Sequence, residues 1–401
     1  MIEHRSGGHI TLLFSIDKTP RLPRSQGSLG AGFTILHGVI IKARLVQSEH
    51  PSSEPQAGSQ PEGKQPHAEN AQVHLSITDA SGRAVEDSNL YLDLIQGCRE
   101  ATLLRPHEGL EAEISIECPL SQGFGMSAAG LMAMGNVLHQ LTGRGRLNQY
   151  YKIAHRIERQ HGSGLGDVLG ASVGGVELRL QPGAPGWPGQ AVSFAADIPV
   201  LLVWDGGSAK HTSDYIDNPE WQRSITQAGM SCMETLRVGE WGNGRWKDLL
   251  QQSQQFAQQS GMMDEAVRAE LHRKVATTLV EMELQGRLAV RLCMLGTSVA
   301  VLPRTLEDVP DTEEYERLAA LLQEAGRGVL LTGVAPMTTT RQKHIPIERM
   351  AFRANSMSTS PEYSLSSSKI SPTLFSFVIL TRIFSFSCFT YDGSLYLQKN
   401  A

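Results

Sequence analysis

Residues Pro119 to Gly130 read PLSQGFGMSAAG, and this stretch decides how the rest of the chain is interpreted. Polar and apolar residues alternate over 112–118, which predicts a strand before it, and apolar residues recur at helical spacing over 131–141. A glycine-rich turn between a strand and a helix can hold phosphate, because glycines let the backbone approach closely and the helix N-terminus offers unpaired N–H groups. The stretch therefore predicts a nucleotide-binding enzyme.

Two widespread phosphate motifs do not match this stretch. No Lys follows the glycines, as GxxxxGK[ST] requires, and the glycine spacing is not GxGxxG. Ser127 stands at the predicted helix start, where its hydroxyl can cap the helix or reach a Mg²⁺ ion between phosphates. Taken alone, the stretch is equally typical of a plain turn before an amphipathic helix.

The composition is that of a soluble globular protein, with 40% hydrophobic and 19% charged residues among 401. A net charge of −5 argues against nucleic acid as the main partner. The five cysteines form no CxxC pair, so we predict neither a zinc site nor a disulfide framework. A reducing, cytoplasmic setting fits best, and the apolar run 11–16 is too short for a signal peptide.

Apolar runs, alternation and capping signals predict a mixture of strands and helices. The predicted strands are 10–14, 32–46, 73–78, 173–180, 198–204, 298–302 and 328–334, and the predicted helical stretches are 148–161, 219–295 and 311–325. Residues 48–71 contain Pro, Ser, Gly, Gln and Glu with almost no large apolar side chain. We expect that segment to be a flexible insertion, since it buries too little surface to offset the entropy of ordering.

The chain changes character from about Phe352, where it becomes rich in Ser. Residues 373–389 are apolar and aromatic, but they are fewer than the roughly 18–20 residues that span a membrane, and they contain Arg382. We expect 352–401 to be a non-functional extension outside the fold, with a membrane anchor as the less favoured alternative.

The stretch 119–130 resembles the phosphate-binding motif of the GHMP kinases, Pro-x-x-x-Gly-Leu-Gly-Ser-Ser-Ala-Ala. Phe124 stands in place of Leu and Met126 in place of the first Ser, while Ser127 keeps the second. Within this superfamily of galactokinase, homoserine kinase, mevalonate kinase and phosphomevalonate kinase, the chain is most similar to the archaeal pantoate kinases. Other segments similar to that subfamily are GHIT at 8–11, GSLGAG at 27–32, GLGDV at 164–168 and MLG at 294–296.

The resemblance covers about residues 5–340 and implies an α+β GHMP kinase fold. Its N-terminal ATP-binding domain, at 1–180, would be an α/β domain like domain 2 of ribosomal protein S5, and a C-terminal α+β domain would occupy 181–340. It implies ATP and Mg²⁺ as cofactors and the phosphorylation of (R)-pantoate, a small hydroxy acid, on the archaeal route to coenzyme A. It further implies a cytoplasmic enzyme without a nucleic-acid or membrane partner, in a subfamily whose members are often homodimers.

The resemblance also implies which residues act on ATP. Those implied to bind the phosphates are Pro119, Gly123, Phe124, Gly125, Met126, Ser127 and Ala128. Glu158 matches an acidic residue that helps Ser127 hold Mg²⁺; the alternative is a solvated helix-surface Glu within the charged run 156–159.

Asp167 lies in a Gly-rich segment that we predict to be a loop, and it is the implied catalytic residue. A kinase acting on an alcohol needs a carboxylate near the hydroxyl, to accept its proton or to orient it. Positioning and charge neutralisation supply most of the rate, because phosphoryl transfer passes through a loose transition state. The ordinary alternative is an Asp in a surface turn.

Four residues are predicted to contact the substrate. Arg179 matches a family Arg that would bind the pantoate carboxylate by two parallel hydrogen bonds. Ser28, His9 and Thr212 are further candidates, and His9 stands where several superfamily members have Lys. The alternatives are an exposed strand Arg, a turn-forming Ser and a core His.

Two other functions stay open at this stage. One is a GHMP kinase for homoserine, shikimate or mevalonate, which would share every ATP-side residue. The other is a non-catalytic GHMP-fold protein that binds a ligand. A substrate panel that measures ADP release separates all three.

Overall fold

The structure is a computed structural model that describes residues 1–47, 71–206, 213–338, 386–391 and 394–399. By its internal contacts the chain divides into two units, Met1–Arg341 and Gln342–Ala401. The predicted insertion 48–71 and the residue Thr212 fall outside the described residues, apart from Ala71.

The first sheet of Met1–Arg341 has six strands. They are β1 (Ile2–Phe14), β2 (Gly30–Gln47), β3 (Val73–Thr78), β4 (Glu108–Ile116), β5 (Val176–Gln181) and β6 (Gln190–Phe194). The order is β3-β4-β2-β5-β6, and β1 also pairs with β2. Only the β3–β4 pair is parallel. The long strand β2 is therefore central, and it brings β1 and β5, which are far apart in sequence, into one sheet.

Four helices lie between β3 and β5 in the chain. They are α1 (Asn89–Glu100), α2 (Met126–Thr142), α3 (Leu147–Gln160) and α4 (Asp167–Val173). Helix α2 is apolar almost all round and is buried from Ala128 to Leu138, as expected of a helix in the core rather than on the surface. Gly143, in the left-handed conformation, ends α2.

The second sheet contains four strands in the order β10-β7-β9-β8, all antiparallel. They are β7 (Pro199–Trp204), β8 (Leu288–Cys293), β9 (Ser298–Pro303) and β10 (Gly328–Gly333). The accompanying helices are α5 (Ser213–Ile216), α6 (Pro219–Leu236), α7 (Trp246–Gln259), α8 (Ala266–Glu281) and α9 (Thr312–Glu324). Asp311, the first residue of the predicted helix 311–325, caps α9, since its carboxylate accepts from the N–H of Glu314.

The predicted strands and helices are largely confirmed, with three corrections. Residues 288–293 lie in a stretch predicted to be helical but form strand β8; every residue there is buried, so the two-residue alternation that marks a half-exposed strand is absent. Residues 167–173, predicted as loop and strand, form α4. Helix α1 and strand β6 were not predicted.

The first sheet extends through β6 to Phe194, past the predicted boundary at 180. The two sheets share one hydrophobic core. Within it, the ring centroid of Phe14 in β1 lies 5.6 Å from that of Phe256 in α7. The division into two domains at 180 stays a prediction.

The unit Gln342–Ala401 is described only in an antiparallel hairpin of β11 (Phe386–Tyr391) and β12 (Ser394–Lys399). Most of the tail 352–401 lies outside the described residues. Among the residues that are described, none of the helices is both long and apolar enough to cross a membrane.

Candidate active site

A cavity of about 340 Å³ gathers the segments that the sequence predicted to act together. The Gly-rich stretch lines it from Pro119 to Ala128, except for Gln122. Leu165, Gly166 and Asp167 line another side, and the other motifs contribute Thr11, Ser28, Met294 and Leu295. Because these segments come from distant parts of the chain, the cavity is a product of the tertiary fold.

The Gly-rich stretch makes a tight turn between β4 and α2. Gly123 and Gly125 have φ of +79° and +68°, in the left-handed region that favours glycine. A Cβ on Gly123 would lie 2.9 Å from the carbonyl oxygen of Cys293, and one on Gly125 would lie 2.7 Å from the backbone nitrogen of His9. The turn is thus pressed against β1 and against the segment after β8, and side chains at these two positions would displace it.

Buried and partly exposed residues alternate along the turn. Phe124, Met126 and Ala128 are buried, whereas Gly123, Gly125 and Ser127 are partly exposed. The Phe124 ring packs edge-on against Trp204 at 5.8 Å. The first N–H groups of α2 have no acceptor within the helix, so they can bind an anion. Predicted phosphate binding by the three buried residues is therefore possible only through their backbone.

The predicted MLG segment, 294–296, supports this turn from behind. Ser298 donates from Oγ to the carbonyl oxygen of Gln122 at 2.5 Å, and Thr297 donates to the Gln122 side chain at 3.1 Å. Arg268 of α8 donates from Nε to the carbonyl oxygen of Gly296 at 2.8 Å. The second sheet and α8 therefore hold the Gly-rich turn in place.

Asp167 is the first residue of α4, not part of a loop as predicted. Its side chain is 23% exposed, towards the cavity. Its Oδ1 lies 2.8 Å from His9 Nδ1 and accepts from Thr11 Oγ1 at 3.1 Å. Burial alone would raise the pKa of Asp167, but the hydrogen bond and charge of His9, with Arg179 and Thr11, hold it below its ordinary value. The carboxylate is therefore ionised, oriented and open to a ligand.

Glu158 lies in the last turn of α3 and is 1% exposed, so it is not the solvated surface residue of the alternative interpretation. A Cβ on Gly164 would lie 2.3 Å from Glu158 Oε1 and 2.8 Å from Asp167 Oδ2, which places these two oxygens within about 5 Å of each other. Burial raises the pKa of Glu158 to about 8, and the charge of Asp167 adds to the rise. Two carboxylates so close together favour a cation between or beside them.

Glu158 and Ser127 offer oxygen donors of the kind that Mg²⁺ binds. Glu158 Oε2 has no hydrogen-bond partner although it is buried, and Ser127 lines the same cavity. Among the described residues, no group of three or more His, Cys, Asp or Glu forms a metal site. Mg²⁺ needs no such cage, because it binds one or two carboxylates together with phosphate oxygens and water. Ser127 and Glu158 therefore fit this ion in the presence of a nucleotide.

The predicted substrate residues have different positions. Ser28 lines the cavity. Arg179 is fully buried and does not line it, so it is not an exposed strand Arg; Nη1 donates to Glu177 at 3.0 Å, while Nε and Nη2 have no partner. A Cβ on Gly166 would meet both Ser28 Oγ and Arg179 Nε, at 2.2 and 2.9 Å, so Arg179 lies directly beside the cavity wall.

His9 is buried under Asp167 rather than in the open cavity. Its side chain is 0% exposed, and its second ring nitrogen, Nε2, lies 3.1 Å from Glu177 Oε1. Both nitrogens are thus engaged by protein carboxylates. His9 does not line the cavity and reaches it through Asp167 and Thr11, whereas we predicted a direct substrate contact.

Sequence reasoning missed Thr11 and Glu177. Each lies two residues from a predicted site residue, His9 or Arg179, on the same strand and hence on the same face. Strand β2 contributes only Gly30 and Gly32 at the positions that pair with Arg179 and Glu177. The spacing i, i+2 was the available signal, since Glu177 and Arg179 both lie fully buried on β5.

The chain is similar to known kinases in sequence. Residues 89–175, which include α2, Glu158 and Asp167, match the family model described as the GHMP kinases N terminal domain. The chain is 25% identical over 261 residues to a pantoate kinase of Methanocaldococcus jannaschii, covering 65% of this chain and 81% of that protein. It is 27% identical over 293 residues to a pantoate kinase of Methanospirillum hungatei, covering 72% and 82%.

Among solved structures, one described as a phosphotransferase related to the CoA biosynthesis pathway has a similar fold. Its TM-score is 0.62 at 21% identity, and the match covers 83% of this chain and 96% of that one. GHMP kinases take phosphate from ATP, and the residues that the family model matches here include the Gly-rich turn. Residues 89–175 thus match the N-terminal domain of the GHMP kinases, and the chain is similar over most of its length to two archaeal pantoate kinases.

Proposed function

We propose that this protein is a pantoate kinase, which transfers the γ-phosphoryl group of ATP to the 4-hydroxyl of (R)-pantoate. The observation that carries the proposal is the position of Asp167, an ionised and oriented carboxylate in the same cavity as the Gly-rich turn. Two relatives that cover most of the chain are pantoate kinases, which supports the choice of substrate.

The chain's own groups suffice to position the reactants. The N–H groups at the start of α2 and the Ser127 hydroxyl bind the phosphates. The pantoate hydroxyl oxygen forms the new bond to the γ-phosphorus as the bond to the β-phosphate oxygen breaks, and ADP leaves. Asp167 orients the hydroxyl and accepts its proton. Holding the reactants in line accounts for most of the rate enhancement.

Ser127 and Glu158 would hold Mg²⁺, as their fit to the ion indicates. When bound, the ion neutralises charge on the phosphates. Glu158 Oε2 gains the partner that it lacks among the protein atoms, and the repulsion between Glu158 and Asp167 falls.

Arg179 and Ser28 would bind the pantoate carboxylate. The unpartnered Nε and Nη2 of Arg179 are buried donors of a cationic group, and such donors are costly unless a ligand satisfies them. Ser28 Oγ lies beside Arg179 Nε at the same wall. A planar guanidinium with two free N–H directions matches a carboxylate.

The test measures ADP release from Mg-ATP with pantoate, homoserine, mevalonate and shikimate in parallel. We expect turnover with pantoate alone and a loss of about 10³-fold in kcat for Asp167→Asn. Asp308→Asn is the matched control, since Asp308 pairs with Arg287 on the surface and does not line the cavity. Turnover with another alcohol and none with pantoate would move the assignment to a different GHMP kinase; no turnover at all would favour a ligand-binding protein.

We also propose a cytoplasmic homodimer. Cys98, Cys118, Cys232 and Cys293 are free thiols, as a reducing compartment allows. The proposal of a dimer is based on the resemblance to the pantoate kinases. Light scattering after size-exclusion chromatography tests it by measuring the molar mass in solution.

A further inference from the structure

Glu177 is a fully buried carboxylate on β5 that contacts two site residues at once. Its Oε1 lies 3.1 Å from His9 Nε2 and accepts from Arg179 Nη1 at 3.0 Å. Its side chain and those of both partners are 0% exposed. A buried carboxylate without cationic partners would be strongly destabilising, so these two contacts determine whether Glu177 can be charged where it lies.

The chain of contacts continues from Glu177 to the cavity. His9 is within hydrogen-bond distance of Glu177 through Nε2 and of Asp167 through Nδ1, at 3.1 and 2.8 Å. Ionised carboxylates only accept hydrogen bonds, so a ring that bonds two of them must carry a proton on each nitrogen. His9 is then an imidazolium, and the four groups Arg179, Glu177, His9 and Asp167 alternate in charge.

Glycines next to His9 and Arg179 show that these two side chains have fixed positions. A Cβ on Gly170 would lie 2.4 Å from His9 Nε2, and one on Gly30 would lie 2.5 Å from Arg179 Nη2. Both distances are shorter than van der Waals contact allows, so the backbone leaves space that only these side chains occupy. Gly166 of the motif 164–168 lies there too, since a Cβ on it would be 2.9 Å from Arg179 Nε, so glycines of the motifs 27–32 and 164–168 border the same network.

We propose that Glu177 is a positioning residue that holds His9 and Arg179 together, and so sets the proton acceptor Asp167 and the carboxylate ligand Arg179 at a fixed separation. This role presupposes the proposed kinase reaction, since it links the two ends of a hydroxy acid: the hydroxyl at Asp167 and the carboxylate at Arg179. Glu177 touches neither reactant.

A purely structural ion pair would make a different prediction. Replacing Glu177 would then lower stability and leave the kinetic constants of the folded enzyme unchanged. A positioning residue that serves both ends of the hydroxy acid affects kcat through Asp167 and KM for the hydroxy acid through Arg179. It leaves KM for ATP unchanged, because Glu177 makes no contact with the Gly-rich turn among its hydrogen bonds.

The kinetic arm compares Glu177→Gln with Glu108→Gln. Glu108 is a matched control, because it is a largely buried carboxylate paired with Arg144 and does not line the cavity. We expect Glu177→Gln to lower kcat about 10-fold or more and to raise KM for pantoate about 10-fold, with KM for ATP within about twofold. Folded Glu177→Gln with both constants within about twofold of wild type overturns the proposal.

A spectroscopic arm needs no substrate and no activity. In protein labelled with ¹⁵N-histidine, the His9 signals are assigned by their loss in His9→Asn. We expect both ring nitrogens of His9 to be protonated at pH 7.5 in wild type, and one to lose its proton in Glu177→Gln. A wild-type ring with one bare nitrogen overturns the proposal, even if the Gln variant fails to fold.

The two arms separate this inference from the proposed function. If wild type is inactive on pantoate, the proposed function is wrong. The ¹⁵N signals still decide whether Glu177 keeps both ring nitrogens of His9 protonated. Pantoate kinase activity that survives Glu177→Gln unchanged counts against the inference alone.

Discussion

Substituting Gly170 by Ala tests whether the His9 ring is held where the structure places it. Gly170 lies in α4, and a Cβ there would be 2.4 Å from His9 Nε2, 2.9 Å from Cε1 and 3.0 Å from Cδ2. Non-bonded heavy atoms prefer about 3.5–4.0 Å, so the ring would have to move by about 1 Å. It cannot do so without lengthening its bonds to Asp167 and Glu177.

Two opposing terms determine the change in the free energy of unfolding. Overfilling a packed site costs about 1–3 kcal/mol. Ala in a helix interior is favoured over Gly by about 1 kcal/mol. We therefore expect Gly170→Ala to lower the free energy of unfolding by about 1 kcal/mol. Displacement of His9 from Asp167 should also lower kcat by about 10-fold, equivalent to about 1.4 kcal/mol.

A double-mutant cycle isolates the clash. In a His9→Ala background the ring is absent, so only the helix term remains and Gly170→Ala should stabilise by up to about 1 kcal/mol. The interaction energy between the two sites is then about 2 kcal/mol. Urea denaturation of the four proteins gives the stabilities, and ADP release gives kcat for the variants that retain activity.

Gly286→Ala is the control, because a Cβ at Gly286 meets no atom within 4 Å. It should leave both stability and kcat nearly unchanged. Equal effects of Gly170→Ala with and without His9, or a Gly170→Ala enzyme with wild-type kcat, would refute the placement of the ring.

Three further substitutions test other parts of the site and the fold. Glu158→Gln should raise the Mg²⁺ concentration for half-maximal activity about 10-fold or more, since a buried ligand oxygen loses its charge; an unchanged Mg²⁺ titration contradicts the assigned role. Ser298→Ala should raise KM for ATP several-fold, because the Gln122 carbonyl oxygen loses its hydrogen-bond donor, which costs about 1–3 kcal/mol. An unchanged KM and an unchanged stability would contradict the role of Ser298 in holding the Gly-rich turn. The hydrogen bonds from Arg144 lower the pKa of Glu108 from 4.5 to about 2, so its contribution to stability is present above pH 4.5 and is lost as the pH falls towards 2. Glu108→Gln should therefore cost about 1 kcal/mol at pH 7 after solvent screening, with the difference from wild type shrinking below pH 4.5 in urea titrations; a constant difference would contradict this pairing.

Local patterns were enough to predict much of the fold. Strand β3 was predicted with the bounds that the structure has, and the helix start predicted at Ser127 is one residue from the observed start at Met126. The alternation in β3 and the glycines before α2 are both visible in a short window of sequence. Strand β8 has both faces buried, and without alternation its period could not be distinguished from that of a neighbouring helix.

The sequence by itself determined the chemistry of the Gly-rich turn and the identity of its main partners. Glycines at 123 and 125 are required by a left-handed backbone, and Ser127, Glu158 and Asp167 are of the residue types that the proposed kinase reaction needs, whatever their partners. These are properties of single residues and short spacings. For that reason the resemblance to the GHMP kinases could be recognised before any contact was known.

Only the tertiary structure decided how the charged residues are paired. Strand β2 lies between β1 and β5 and contributes glycines at the crossing, so His9 and Thr11 meet residues 168 positions away, among them Glu177. Burial then makes each charge depend on a neighbour, because an unpaired charge is far more costly there than in water. The ionised state of Asp167 and the raised pKa of Glu158 are consequences of that enclosure, which no local pattern in the sequence records.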